Sequence, residues 1–276
     1  MPLIGATCEG SMTFQTIIVD VSPDGVATVI LNRPEVLNAF NDAMCAEFSQ
    51  LWSQVRADDQ IRAVVLAAAG DRAFCTGVDV TERLDSDSPF LDRAQPWAEH
   101  EDPGRDLSPR RNEVWKPVIA AVHGMCAGGA FYWIADCDIV VCSPDATFFD
   151  PHVTYGFVAA LEPIALRYRV PFSDVMRMAL LGMHERMTAE RALAAGLVTE
   201  IVERDALLGR ARQLAQVIAG QPAAAVQGTV KALWQSLDVT RGQALATALM
   251  YTQIGNPIGT EQIDRDAVKP EKPWRR

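Results

Sequence analysis

The residues best suited to chemistry lie in Val122-His123-Gly124-Met125-Cys126-Ala127-Gly128-Gly129-Ala130-Phe131-Tyr132. The preceding run, residues 117–122, reads as a buried strand. It enters a glycine-bearing turn, and a helix starts near Gly128. Backbone N–H groups at a helix start are unpaired and carry the positive end of the helix dipole. Glycine there lets a ligand oxygen approach the backbone closely. Such a turn suits an anion that forms during a reaction, such as an enolate. A second segment has the same form. Residues 63–69 read as a buried strand that leads to Ala73-Phe74-Cys75-Thr76-Gly77-Val78-Asp79-Val80. Two such turns on neighbouring strands can each give one N–H to the same oxygen.

Other elements must hold these turns in place. Residues 14–20 and 26–32 read as a strand pair joined at Pro23-Asp24-Gly25. A helix follows from about Asp42, with Met44, Phe48, Leu51, Trp52 and Val55 on one apolar face. Residues 85–112 lack periodicity and read as a long mobile loop over a site. The unit 117–135 and a strand at 138–142 complete a β-rich half. After Pro163 the chain reads as helical almost throughout, with candidate helices at 206–219, 223–237 and 242–253.

Composition narrows the function. A length of 276 residues suits one large domain with a sizeable core. The net charge of −10 argues against a nucleic-acid or anionic-membrane binder, which needs a basic footprint. No apolar run is long enough to span a membrane, and the N-terminus shows no signal-peptide pattern. The six cysteines include no CxxC pair, which points to reduced thiols and a cytoplasmic location. The four histidines lack metal-ligand spacing, so no metal site is expected.

Five segments together resemble the crotonase (enoyl-CoA hydratase/isomerase) superfamily. The two glycine turns come in the family's order. Leu31-Asn32-Arg33-Pro34-Glu35-Val36-Leu37-Asn38-Ala39 is similar to its LNRPxxxNA element. Asp136-Cys137-Asp138 resembles the strand start after its oxyanion helix. Thr188-Ala189-Glu190-Arg191-Ala192 with Gly196-Leu197-Val198 resembles its TAxxAxxxGLV element. The resemblance covers residues 14–250 in one register.

The resemblance implies an α/β fold: a spiral of ββα units over 14–205, after a loose tail at 1–13, and a helical region at 206–276. It implies a homotrimer or a dimer of trimers. It implies an acyl-CoA substrate, with coenzyme A entering as part of the thioester and no permanently bound cofactor. The two oxyanion donors then fall on the backbone N–H groups of Val78 and Gly129. Backbone at Val36 and through Cys75, Gly77, Val78, Asp79 and Val80 is expected to hold the CoA moiety.

The chain departs from the family where hydratases carry two glutamates. The first place is taken by Tyr132 and the second by His152. A tyrosine is a poor base near neutral pH but a hydrogen-bond donor, whereas histidine does acid or base work there. As structural residues, Tyr132 would be a core aromatic beside Phe131 and Trp133, and His152 a hydrogen-bonded histidine after Pro151. Asp150 is a further candidate, since an extended segment would point it to the same side as His152. Glu162 is a possible replacement carboxylate or a helix-start residue. His100 can close from the loop, His123 reads as structural, and His184 as surface. The glutamate losses suit chemistry that needs an oxyanion hole and one acid or base: double-bond migration, decarboxylation or C–C cleavage. The alternative is a non-catalytic acyl-CoA-binding subunit. A Clp-type serine peptidase is disfavoured, because no serine stands in the oxyanion turns.

Overall fold

The computed structural model describes residues 14–84, 102–268 and 273–274. The expected tail at 1–13 and His100 lie outside the described residues. In chain order the elements begin with β1 (Ile17–Val21), β2 (Val26–Leu31), α1 (Asp42–Ala57), β3 (Ala63–Ala68), β4 (Ala73–Cys75) and α2 (Val80–Leu84). Then come α3 (Gly104–Leu107), β5 (Val118–Val122), β6 (Met125–Ala127), α4 (Phe131–Ile134), β7 (Ile139–Cys142) and β8 (Thr147–Phe149). The chain continues through α5 (Leu161–Leu166), α6 (Phe172–Leu181), β9 (Met187–Thr188), α7 (Ala189–Ala195) and β10 (Glu200–Ile201). It closes with α8 (Leu207–Ala219), α9 (Ala223–Gln235) and α10 (Arg241–Glu261).

Two sheets result, with strand orders β1-β2-β3-β5-β7-β10 and β4-β6-β8-β9. From β3 to β8, successive strands alternate between the sheets. Each turn of the chain therefore lays one strand on each sheet before a helix or loop leads onward. This is the spiral of ββα units. β1 and β2 pair antiparallel, while β2, β3, β5 and β7 pair in parallel. Parallel strands are covered on both faces and so need continuous apolar runs. β3 and β5 meet that need with Val64, Val65, Leu66, Val118, Ile119 and Ala120, all fully buried.

One face of the larger sheet meets α1. Met44, Phe48, Leu51, Trp52 and Val55 are buried there, as their spacing predicts, and the Asn41 side chain caps the helix by accepting from Met44 N. The other face meets α8, whose Leu207, Ala211, Ala215 and Ala219 pack against Val65, Ile119 and Val141. The helical region that begins after residue 205 thus closes the second face of the sheet. α10 extends to Glu261, further than its apolar pattern alone predicts, and a capping box at Thr240 and Gln243 starts it. Two short strands, β9 and β10, interrupt the stretch expected to be helical.

The expected loop at 85–112 divides. Residues 85–101 lie outside the described residues. Residues 102–112 are tied down instead of loose. Trp52 Nε1 donates to Leu107 O at 2.9 Å. Asn112 Nδ2 donates to Ser108 O at 2.8 Å, and Ser108 Oγ donates to Asp136. Trp52 and Asp136 lie 55 and 28 residues from the loop residues they meet, and Asn112 bonds within its own turn, so periodicity could not reveal these contacts.

Candidate active site

The site forms where β4 and β6 end side by side. They pair in parallel, with Cys75 opposite Cys126. Past β4 the chain turns at Gly77, whose φ of +91° is readily available only to glycine. A Cβ at Gly77 would stand 3.1 Å from Gly129 N, so the two turns touch. Past β6 the chain turns at Gly128, with φ +53°. A short 3₁₀ turn, Gly128–Ala130, then leads into α4. Phe40 fixes the first turn from outside: Phe40 N donates to Gly77 O at 2.9 Å, and Asp79 N donates to Phe40 O at 2.8 Å. Among the described residues, neither Val78 N nor Gly129 N has an acceptor. Two unengaged amides on adjoining turns can both donate to one oxygen placed between them.

The LNRPxxxNA element holds this turn through residues to which the sequence alone assigned no role. Asn38 is buried at φ +55°, a conformation asparagine tolerates better than most residues. Its Oδ1 accepts from Arg33 N at 2.9 Å, and its Nδ2 donates to Ala69 O at 2.9 Å and Ala73 O at 3.0 Å. The loop is thereby stitched to the end of β3 and the start of β4. Arg33 in turn pairs with Asp79 Oδ2 at 3.0 Å. Asp79 Oδ1 also accepts from Thr81 N at 3.1 Å and from Thr81 Oγ1 at 2.6 Å. The Asp79 carboxyl stays below its ordinary range because these donors outweigh the cost of burial. Its side chain therefore braces the loop. Asn38 stood inside the recognised motif; its fixed position there was the signal available.

Cys75 is fully buried, and Gly77 N donates to its sulfur at 3.3 Å. Burial pushes the Cys75 thiol up to about 12, so it is no nucleophile. Val36 is half-buried and Val80 is exposed beside the turn. The described cysteines 45, 75, 126, 137 and 142 are all buried, and no disulfide joins any of them to another described residue. No metal-binding cluster occurs among the described residues.

Tyr132 and His152 both border the Gly128-Gly129 turn. A Cβ at Gly128 would stand 3.7 Å from His152 Cε1, and one at Gly129 would stand 3.4 Å from Tyr132 Cε2. The structure thus brings together residues of two distant segments. Asp150 is placed differently from expectation. Pro151 adopts φ −82° and ψ −10°, so the segment turns instead of extending. Asp150 is buried and folds back beneath the histidine. Its Oδ1 lies 2.6 Å from His152 Nδ1 and accepts from His152 N at 3.0 Å. Asp150 thus faces the imidazole and does not share its outward side. That contact raises the His152 pKa, against the opposing effect of partial burial.

Glu162 completes the group. It enters from α5, is buried, and places Oε1 3.8 Å from His152 Nε2. Burial raises its carboxyl pKa, and the Asp150 charge adds to that. The Tyr132 hydroxyl interacts with both Glu162 and Asp102. Burial and these two acidic neighbours push the phenol far above its ordinary value. Asp102 is itself paired with Arg111 and accepts from Gly104 N at 2.9 Å. His123 belongs elsewhere: burial lowers it to about 4, and its charged neighbours are Arg204, Asp145 and Asp71. His184 is exposed on a 3₁₀ turn, as its place between helices suggested.

Comparison with known proteins identifies the family. The family model for enoyl-CoA hydratase/isomerase matches residues 22–256. The (E)-benzylidenesuccinyl-CoA hydratase of Thauera aromatica is 36% identical over 208 residues, covering 75% of this chain and 78% of that protein. The 1,2-epoxyphenylacetyl-CoA isomerase of Escherichia coli is 36% identical over 200 residues, covering 72% and 74%. The crystal structure of an enoyl-CoA hydratase/isomerase from Mycobacterium paratuberculosis superposes with a TM-score of 0.77 at 38% identity, covering 87% of this chain and 90% of that one. The chain belongs to the enoyl-CoA hydratase/isomerase family.

Proposed function

We propose that this enzyme binds an acyl-CoA thioester with its carbonyl oxygen between the Val78 and Gly129 amides and moves protons on the acyl chain. The observation that carries this reading is the pair of unengaged amides with an Asp150-backed imidazole against the same turn. Removing an α-proton puts charge on the thioester oxygen. Two fixed donors stabilise that charge without reorganisation, and each is worth on the order of 3 kcal/mol. Asp150 Oδ1 accepts from the His152 backbone amide and faces Nδ1 at 2.6 Å, so in this reading Nδ1 carries a hydrogen and Nε2 is the basic nitrogen. His152 is the base of this reading, and Tyr132 lines the opposite side of the turn. Backbone at Val36 and through 75–80 holds the CoA moiety. The relatives' names, a hydratase and an isomerase that each act on a CoA thioester, support the substrate class.

Double-bond migration fits the residues best, because Tyr132 and His152 stand where hydratases of the family carry their two glutamates. Decarboxylation or C–C cleavage uses the same oxyanion hole. The protein assembles as a homotrimer or a dimer of trimers. Exposed apolar side chains at Val158, Ile164, Phe172 and Leu180, with Leu249 and Ile254 on α10, support assembly. Buried cysteines without a disulfide among the described residues support a cytoplasmic setting. No described helix is long and apolar enough to cross a membrane.

The test is isomerisation of 3-butenoyl-CoA beside hydration of crotonyl-CoA, in the wild type and in His152→Ala. Isomerisation that His152→Ala lowers on the order of 10²-fold or more supports the reading. Rapid hydration untouched by the substitution overturns it. Binding without any turnover points to a non-catalytic acyl-CoA-binding subunit.

A further inference from the structure

Among the described residues, three buried or half-buried carboxyls gather around Tyr132 and His152, but only two cations meet them. Asp102 is matched by Arg111. Asp150 and Glu162 share one base, His152, from opposite ring nitrogens, Nδ1 at 2.6 Å and Nε2 at 3.8 Å. Two buried carboxylates around one imidazole leave a negative charge without a partner, and a buried unpaired charge is costly. One carboxyl therefore keeps a proton. Asp150 makes the short contact to Nδ1 and also accepts from a backbone amide, which suits the ionised form. Glu162 lies beyond hydrogen-bond length from Nε2 and has no other cation among the described residues. It also faces the Tyr132 hydroxyl. Tyr132 and His152 both border the glycine turn, so Glu162 stands behind the space that both of them line.

We propose that Glu162 is the second acid/base of the reaction, returning to the acyl chain the proton that His152 removes, and that Tyr132 is a positioning residue. This rests on the proton-transfer reading above. For a 3-enoyl thioester the step balances without a further reactant. Nε2 of His152 takes the C2 proton, and the C2–H electron pair forms the enolate held by Val78 and Gly129. As the double bond moves from C3–C4 to C2–C3, the Glu162 O–H bond breaks and a C4–H bond forms. The imidazolium and the Glu162 carboxylate then face each other, and proton transfer between them restores both. Tyr132 holds its proton too tightly to serve as the source and donates a hydrogen bond to the carboxylate that forms. The groups facing the couple are Asp150 from the β8 end, Tyr132 from α4, and the Asp102–Arg111 pair beyond it.

The experiment compares two rates in each variant. Exchange of the butyryl-CoA α-hydrogens in D₂O reads the base and the oxyanion hole. Isomerisation of 3-butenoyl-CoA also needs the returning acid. In Glu162→Gln the ratio of isomerisation to exchange is expected to fall on the order of 10²-fold, the usual worth of a general acid. The alkaline limb of the isomerisation pH profile is expected to vanish, because the couple then has no proton to lose. Should Glu162→Gln not fold, Glu162→Asp keeps a carboxyl one carbon short. It is expected to lower the ratio about 10-fold and keep the limb. Tyr132→Phe is expected to move that limb to a different pH without abolishing it. An unchanged ratio in the Gln variant, or in the Asp variant where that one is used, overturns the Glu162 assignment alone. A wild type that exchanges no α-hydrogen overturns the proton-transfer reading and the assignment with it.

Discussion

Asp150 Oδ1 lies 2.6 Å from His152 Nδ1, and the same oxygen accepts from the His152 backbone amide. One carboxylate oxygen thus fixes both the ring and the backbone of the residue beside the glycine turn. Asp150→Asn is expected to lower the His152 pKa, since this contact is the largest cause of its rise. The base is active when deprotonated, so the acid limb of the pH–rate profile should move to lower pH. Turnover should fall by up to about 10⁴-fold, the loss expected when an amide no longer enforces one imidazole tautomer. A pH–rate profile checks both.

The same pair has a signature in stability. The folded pKa of His152 is raised, so its contribution is complete below the unfolded value of about 6.5. It is lost as pH rises through the folded value. The wild type should therefore exceed Asp150→Asn in Tm most at pH 6, with the gap narrowing toward pH 9. Melting curves of both proteins across that range provide the measurement. A gap that widens with pH would refute the assignment of charge.

Gly129→Pro removes one proposed oxyanion donor outright. Turnover of an acyl-CoA substrate should drop about 10²- to 10³-fold. Gly77→Ala attacks the same hole differently. It forces a side chain into φ +91° and places a Cβ 3.1 Å from Gly129 N. Both variants should lose kcat more than affinity for butyryl-CoA, as read by steady-state kinetics and calorimetry. Full turnover in a folded Gly129→Pro enzyme would refute the donor assignment.

Asn38→Ala strips two hydrogen bonds from Ala69 O and Ala73 O and one from Arg33 N. Leaving buried partners unmatched costs about 1–3 kcal/mol for each group. The variant should melt several degrees lower, and KM for acyl-CoA should rise as the loop ahead of Phe40 loosens. Calorimetry and kinetics on the same preparation test the two effects together.

Val158 is 87% exposed and Phe172 68% exposed, unusual for such side chains on a lone chain. Light scattering should give a trimer or hexamer for the wild type. Val158→Asp with Phe172→Glu should shift it toward smaller species. A wild-type monomer at micromolar concentration would contradict the proposed assembly.

Much of this molecule was legible from residue order. The strand runs at Val64–Leu66 and Val118–Ala120, the apolar face of α1, and both glycine turns rest on local pattern, and each reappears in the structure. Register with the family put Tyr132 and His152 at neighbouring places, and both border the Gly128-Gly129 turn. What residue order left open was decided by contacts between distant segments. Pro151 turned the chain and drew Asp150 under His152, where an extended reading had sent it outward. Glu162 stood between two readings, a replacement carboxylate or a helix-start residue, until α5 buried it against His152 and Tyr132. Asn38 could not declare its partners, since Ala69 and Ala73 lie 31 and 35 residues further along the chain. Local pattern governs which elements form, because backbone hydrogen bonding and apolar periodicity are short-range. Which charges meet, and which go unbalanced, depends on burial and distance in three dimensions, and only the tertiary structure sets those.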